Sequence, residues 1–97
     1  MPHLVYSEHA LSDLERILEF LGDSEPQIAI ATATVVRDAL GILPLHPLIG
    51  RAVDERYREL VISQGRTGFI ALYEYQEARD RILAVAIRHQ REAGFES

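Results

Sequence analysis

Ninety-seven residues, 47% of them hydrophobic, suffice for one compact core and are too few for two, so a single domain over residues 1–97 is expected. The chain has no cysteine, which excludes a disulfide framework and any thiolate metal site. Its net charge of -5 argues against direct nucleic-acid binding, which rests on cationic displacement of counterions.

The charge is unevenly distributed. Residues 1–50 hold seven acids (Glu8, Asp13, Glu15, Glu19, Asp23, Glu25, Asp38) against two arginines, whereas residues 51–97 hold eight of each sign. All ten basic residues are arginine and none is lysine. Arginine suits fixed, bidentate or stacked contacts with carboxylate or phosphate, although codon bias in a GC-rich genome produces the same pattern. Residues 1–6 carry no basic leader, and no apolar run approaches the ~18 residues that span a bilayer, so a cytoplasmic location without membrane contact is expected.

Residues 3–6, HLVY, predict a short strand, and Ser7 supplies a hydroxyl to cap a helix whose first turn carries Glu8. Ala10, Leu11, Leu14, Ile17, Leu18 and Leu21 recur at steps of three and four, with Asp13, Glu15, Arg16 and Glu19 facing away, and Gly22 closes the run. Ser24 and Gln27 then have capping-box spacing and Pro26 suits a first helical turn. A second helix runs on to about Leu43, joined to the first by three residues as an antiparallel hairpin. Its stretch IAIATATVV is rich in β-branched residues, but Ile28, Thr32, Val35, Val36, Ala39, Leu40 and Leu43 keep the helical period beyond the length of an ordinary strand.

Pro44, Pro47 and Gly50 break regular structure across LPLHPLIGRAVDE, which reads as a connecting loop. Three strands are predicted at 57–63, 67–75 and 81–88, forming a three-stranded antiparallel meander. In the middle strand Phe69, Ala71, Tyr73 and Tyr75 fall on one face, and Ile70, Leu72 and Glu74 on the other. One face is expected to take the helices. The other, with tyrosines, arginines and small residues, is left for a partner. The fold class is α+β with the order β-α-α-β-β-β.

Few residues offer chemistry. His3, His9 and His46 have no second acid, base or ligand at a spacing that fits a nucleophile relay or a metal site, and neither metal nor cofactor is expected. His89 remains as the candidate for proton transfer, or else a surface or hydrogen-bonding residue. Arg88 and Arg91 are either solvated charges paired with Glu92 and nearby acids or a functional basic patch. Arg51 either orders the loop by bonding carbonyls or extends that patch. Tyr57, Tyr73 and Tyr75 read as half-buried sheet residues with hydroxyls at the rim.

Element order, size, the HPLIGR loop, the YRELVI and GFIALYEY strands and the final IRHQREAGF together resemble the RelE/ParE toxin superfamily, specifically ParE-like toxins of type II toxin-antitoxin operons. The resemblance implies a helical hairpin on a small twisted antiparallel sheet and a cognate antitoxin that wraps the toxin, the two commonly forming larger hetero-oligomers. It also implies a target in DNA gyrase or the ribosome. Ribosome-dependent endoribonucleases of the superfamily use an arginine on the central strand and often a tyrosine near the C-terminus. Here those positions hold Ile70 and Phe95, which cannot take a proton or stabilise a phosphorane. The resemblance therefore implies a gyrase inhibitor, not itself an enzyme, that acts through a tail of Arg88, His89, Arg91 and Phe95, with Arg51 as an extension of the same patch. On the helix-one stripe, Leu14, Ile17, Leu18 and Leu21 are core residues by default or an edge for an antitoxin segment. The alternatives are an mRNA endonuclease using His89 with Arg88 or Arg91, and a non-toxic member that only binds its antitoxin.

Overall fold

A computed structural model of the chain describes residues 1–64 and 67–90. It contains β1 (His3–Tyr6), α1 (Glu8–Ser24), α2 (Pro26–Leu40), β2 (Arg51–Ala52), β3 (Tyr57–Gln64), β4 (Thr67–Gln76), a 3₁₀ turn (Glu77–Arg79) and β5 (Arg81–His89). The strands form one sheet ordered β1-β5-β4-β3-β2. The three long strands are the expected antiparallel meander, and β1 lies parallel to β5 on its outer side.

The α1 start agrees with the sequence: Ser7 is extended, and its hydroxyl accepts the Ala10 N–H at 3.0 Å. The hairpin joint differs from expectation. Helix α1 runs through Gly22 to Ser24, so Ser24 is not a cap, and the two helices are separated by Glu25 alone. Proline explains this economy. Pro26 excludes Glu25 from helical backbone, so Glu25 is forced out at φ -143°. In that conformation its N–H closes α1 on the Leu21 carbonyl, and its carbonyl accepts from Ile28 and Ala29 to open α2.

Helix α2 ends at Leu40, three residues before the expected Leu43, and single-turn bonds carry the chain through 41–45. Pro44 has no N–H to extend the ladder. Leu43 is nonetheless completely buried, so its apolar period reported burial and not helix. The loop expected after it contains a strand: Arg51 and Ala52 pair with Glu59 and Arg58. Two residues are too few to show an alternating pattern.

The core lies between the hairpin and one sheet face. Ile17, Val36, Leu40 and Leu43 meet Ile62, Phe69, Ala71, Tyr73, Ile82 and Ile87, with Leu14 and Leu21 packed at the margin. Tyr73 is fully buried, against the half-buried rim position expected for it. The register places Val5, Leu83, Leu72, Ile70 and Val61 on the opposite face with Tyr57, Glu59 and Glu74. That face is thus more aliphatic than expected.

Asp13, expected to face solvent, is only 2% exposed. Its carboxylate accepts the Ile87 N–H at 2.9 Å and an Arg16 N–H at 3.1 Å, with His9 Nε2 at 3.4 Å. The reason is topological: β1 pairs with β5 only as far as Ala84, and beyond it the β5 edge needs other partners. Ser7 serves the same edge, its N–H donating to the Ala84 carbonyl and its hydroxyl to the Val85 carbonyl.

Candidate functional site

The basic residues expected to act together are dispersed. Arg88 pairs in register with Ile70 on the open face, while the adjacent His89 pairs with Phe69 on the helix side. The His89 ring stands edge-on to Phe69, centroids 5.2 Å apart at 86°. Arg51 sits on β2, across β4 and β3 from β5, and its guanidinium pairs with Glu59. The structure therefore does not bring Arg51 to the basic end of β5, and a central-strand cation is replaced by Ile70, flanked by Val61 and Arg88. Arg91 and Phe95 lie outside the described residues.

The loop before β2 is held by residues that sequence reasoning assigned otherwise. Tyr73 donates from its hydroxyl to the Pro47 carbonyl at 2.8 Å and accepts the Gly50 N–H at 2.9 Å. Arg58, rather than Arg51, bonds the loop carbonyls, reaching Gly50 at 2.7 Å and Leu48 at 3.2 Å. Gly50 has no room for a side chain: a Cβ there would lie 2.6 Å from Tyr73 Cε1 and 2.8 Å from the Glu59 carbonyl oxygen. Burial raises the Tyr73 hydroxyl above its ordinary pKa, against the Gly50 hydrogen bond and the attraction of Arg58. The pinned backbone turns Leu45, Leu48, Ile49 and Val53 outward, each more than half exposed. The Gly50–Arg51 pair and the alternation placing Tyr73 beside Phe69 and Ala71 were visible signals; the partner of the glycine was not.

Of the helix-one stripe, Ile17 is spent in the core at 7% exposure, Leu14 and Leu21 pack against that core, and Leu18 is half-buried. Leu14 also lines a groove of about 310 Å³ with Tyr6, Leu11, Ala33, Thr34 and Arg37. The groove lies where the end of β1 meets the hairpin. Burial raises the Tyr6 pKa, and the nearby Arg37 charge opposes the rise. Neither Tyr6 nor Arg37 was expected to belong to a binding surface.

Among the described residues, no group of three His, Asp or Glu side chains is arranged to hold a metal ion. No helix is long and apolar enough to cross a membrane. What the chain offers is an apolar groove on the hairpin, a rigidly held apolar loop and a basic strand end: surfaces of a protein that works by binding other macromolecules.

The sequence matches, over residues 4–94, the family of the ParE toxin of the type II toxin-antitoxin system parDE, and the chain belongs to that family. A toxin of this type has an antitoxin partner. The fold is similar to a chain of the chromosomal ParDE TA system from P. aeruginosa, with TM-score 0.77 and 19% identity over 92% of this chain and 96% of that one. A metal-bound toxin from Helicobacter pylori is more distant, at TM-score 0.54 and 12% identity over 95% and 98% of the two chains. A search of curated proteins finds no match to this sequence.

Proposed function

We propose that this ParE-type toxin acts by binding and inhibiting DNA gyrase, and that an antitoxin encoded beside it neutralises it by covering the hairpin. The observation that carries the choice of target is Ile70. It occupies the central-strand position where a message-cleaving relative would need a cation, on a face whose strand neighbours there are Val61 and Arg88. His89 does not supply the missing chemistry, because its ring packs on Phe69 on the helix side, away from Arg88. Target contact is assigned to the end of β5 and the C-terminal residues beyond it, with Arg88, Arg91 and Phe95 as the touching residues and His89 as their anchor.

The test uses two reactions in parallel: gyrase supercoiling, and a ribosome programmed with a defined message. Inhibited supercoiling with an intact message is expected. A chain ending at Gln90 keeps the contact between His89 and Phe69 and is expected to lose inhibition while still binding the antitoxin. Cleaved message with normal supercoiling would establish the endonuclease instead, and normal growth of cells expressing the chain alone would mark a member that only binds its antitoxin.

A further inference from the structure

The groove between β1 and the hairpin has a composition that specifies its occupant. Its walls are Leu11 and Leu14 from α1 and Ala33 and Thr34 from α2, closed by Tyr6 at the end of β1. The Thr34 hydroxyl is occupied by the Ile30 carbonyl at 3.2 Å, so this wall presents little free polarity. An apolar cavity of ~150 Å³ takes up a benzene ring, and this open groove of about 310 Å³ is roughly twice that size. One polar feature stands at its mouth. Arg37 is one of only two basic residues among the first fifty, which carry seven acids. Its side chain is 75% exposed and its ion pair is with the adjacent Asp38, at 3.7 Å and 69% exposed. Such a pair holds the guanidinium weakly and leaves it able to turn to a better placed carboxylate.

We propose that this groove receives an acidic-apolar segment of the antitoxin, in which one large apolar side chain fills the space between Leu11, Leu14 and Ala33 and a flanking carboxylate pairs with Arg37. This rests on the toxin-antitoxin reading and gives its hairpin surface a defined chemistry. An apolar anchor supplies the affinity, since its burial removes exposed aliphatic surface on both partners. The single cation supplies the selection: in an otherwise acidic half of the chain, general electrostatics repel an acidic segment, and only a carboxylate seated at Arg37 gains by approaching.

The experiment measures binding of the purified antitoxin from the neighbouring gene to four forms of the full chain by calorimetry: unaltered, Ala33→Leu, Arg37→Glu and Ile30→Ala. Ala33→Leu fills the groove from within and Arg37→Glu reverses its charge. Ile30, 71% exposed on the same helix and not lining the groove, is the control. Each groove variant is expected to bind at least tenfold more weakly with an unchanged melting temperature, Ile30→Ala to bind within twofold of the unaltered chain, and one acid-to-arginine change in the antitoxin to restore binding to Arg37→Glu. Tight binding that neither groove variant weakens overturns the groove assignment and leaves the toxin-antitoxin reading standing. No binding by the unaltered chain overturns both. Groove variants that keep antitoxin affinity but lose gyrase inhibition assign the groove to the target. A free chain that sediments as a dimer and dissociates on Ala33→Leu assigns it to a second copy. Either outcome rejects the proposal.

Discussion

At the two margins of the sheet the ladder runs out of backbone partners, and the two places solve that problem with different chemistry. Beside β5, where β1 stops, the missing partners come from the start of α1: the Ser7 hydroxyl for the Val85 carbonyl and the Asp13 carboxylate for the Ile87 N–H. Beside β3, where β2 is two residues long, they come from side chains on the strands themselves, Tyr73 and Arg58, which reach out to the Pro47–Gly50 backbone. The first arrangement ties a helix to the sheet and so belongs to the core. The second holds a loop from beneath and leaves its aliphatic side chains exposed, which is useful to a protein that binds others. One margin spends its polar groups on cohesion and the other on presentation.

Substitutions can break each side of this comparison. Gly50→Ala has the largest expected effect, because a methyl group there meets the Tyr73 ring at 2.6 Å and the Glu59 carbonyl at 2.8 Å, both rigidly packed. Overpacking of this kind costs about 3 kcal/mol once the loop hydrogen bonds are lost with it, read as a lower urea midpoint. Asp13→Ala leaves a buried N–H unpaired and should destabilise by about 2 kcal/mol, with Asp13→Asn losing less because the amide oxygen still accepts. A larger loss for Asn than for Ala would show that the Ile87 bond is not what Asp13 supplies.

Tyr73→Phe removes two hydrogen bonds at the other margin and is expected to cost about 1.5 kcal/mol. Its signature is local: amide exchange should quicken in the loop around Gly50 and stay unchanged at Ile87. Ser7→Ala, which removes both a helix cap and an edge bond, should cost about 1 kcal/mol and show the reverse exchange pattern.

The smallest effects are those of pH. Tyr73 and Tyr6 have folded pKa values raised by burial, so their contribution is fully present below the unfolded value near 10 and is lost as pH rises through the folded values. Alkaline unfolding should therefore begin above about pH 10 and become shallower in Tyr73→Phe. Asp54 behaves in the opposite sense: the backbone N–H groups of Tyr57 and Arg56 lower its pKa, so its contribution is present above the unfolded value of 3.8 and is lost as pH falls through the lower folded value. In Asp54→Asn that acid-side loss should disappear from a urea-midpoint titration.

Much of this molecule is legible in one dimension. The strand at HLVY, both helices and the three long strands come from local period and punctuation, because amphipathic spacing and a capping serine act within a few residues of where they stand. The missed details share a cause. A single-residue joint was hidden because the exclusion imposed by Pro26 competes with a capping box of equally good spacing. Strand β2 was hidden because two residues have no period, and the early end of α2 because Leu43 keeps the burial pattern after the helix has stopped.

The functional residues divide the same way. The amino-acid sequence by itself determined the family, the absence of a central-strand cation at Ile70 and the acidic character of the first half, since these depend only on which residues occur and in what order. Tertiary structure alone decided that Asp13 turns inward, that Arg58 and not Arg51 holds the loop, that Arg88 and His89 part to opposite faces, and that Arg37 meets Leu11, Leu14 and Tyr6 around one groove. Each of these depends on a contact partner distant in sequence, supplied where the ladder ends or where a helix crosses a strand, and no local period carries that information.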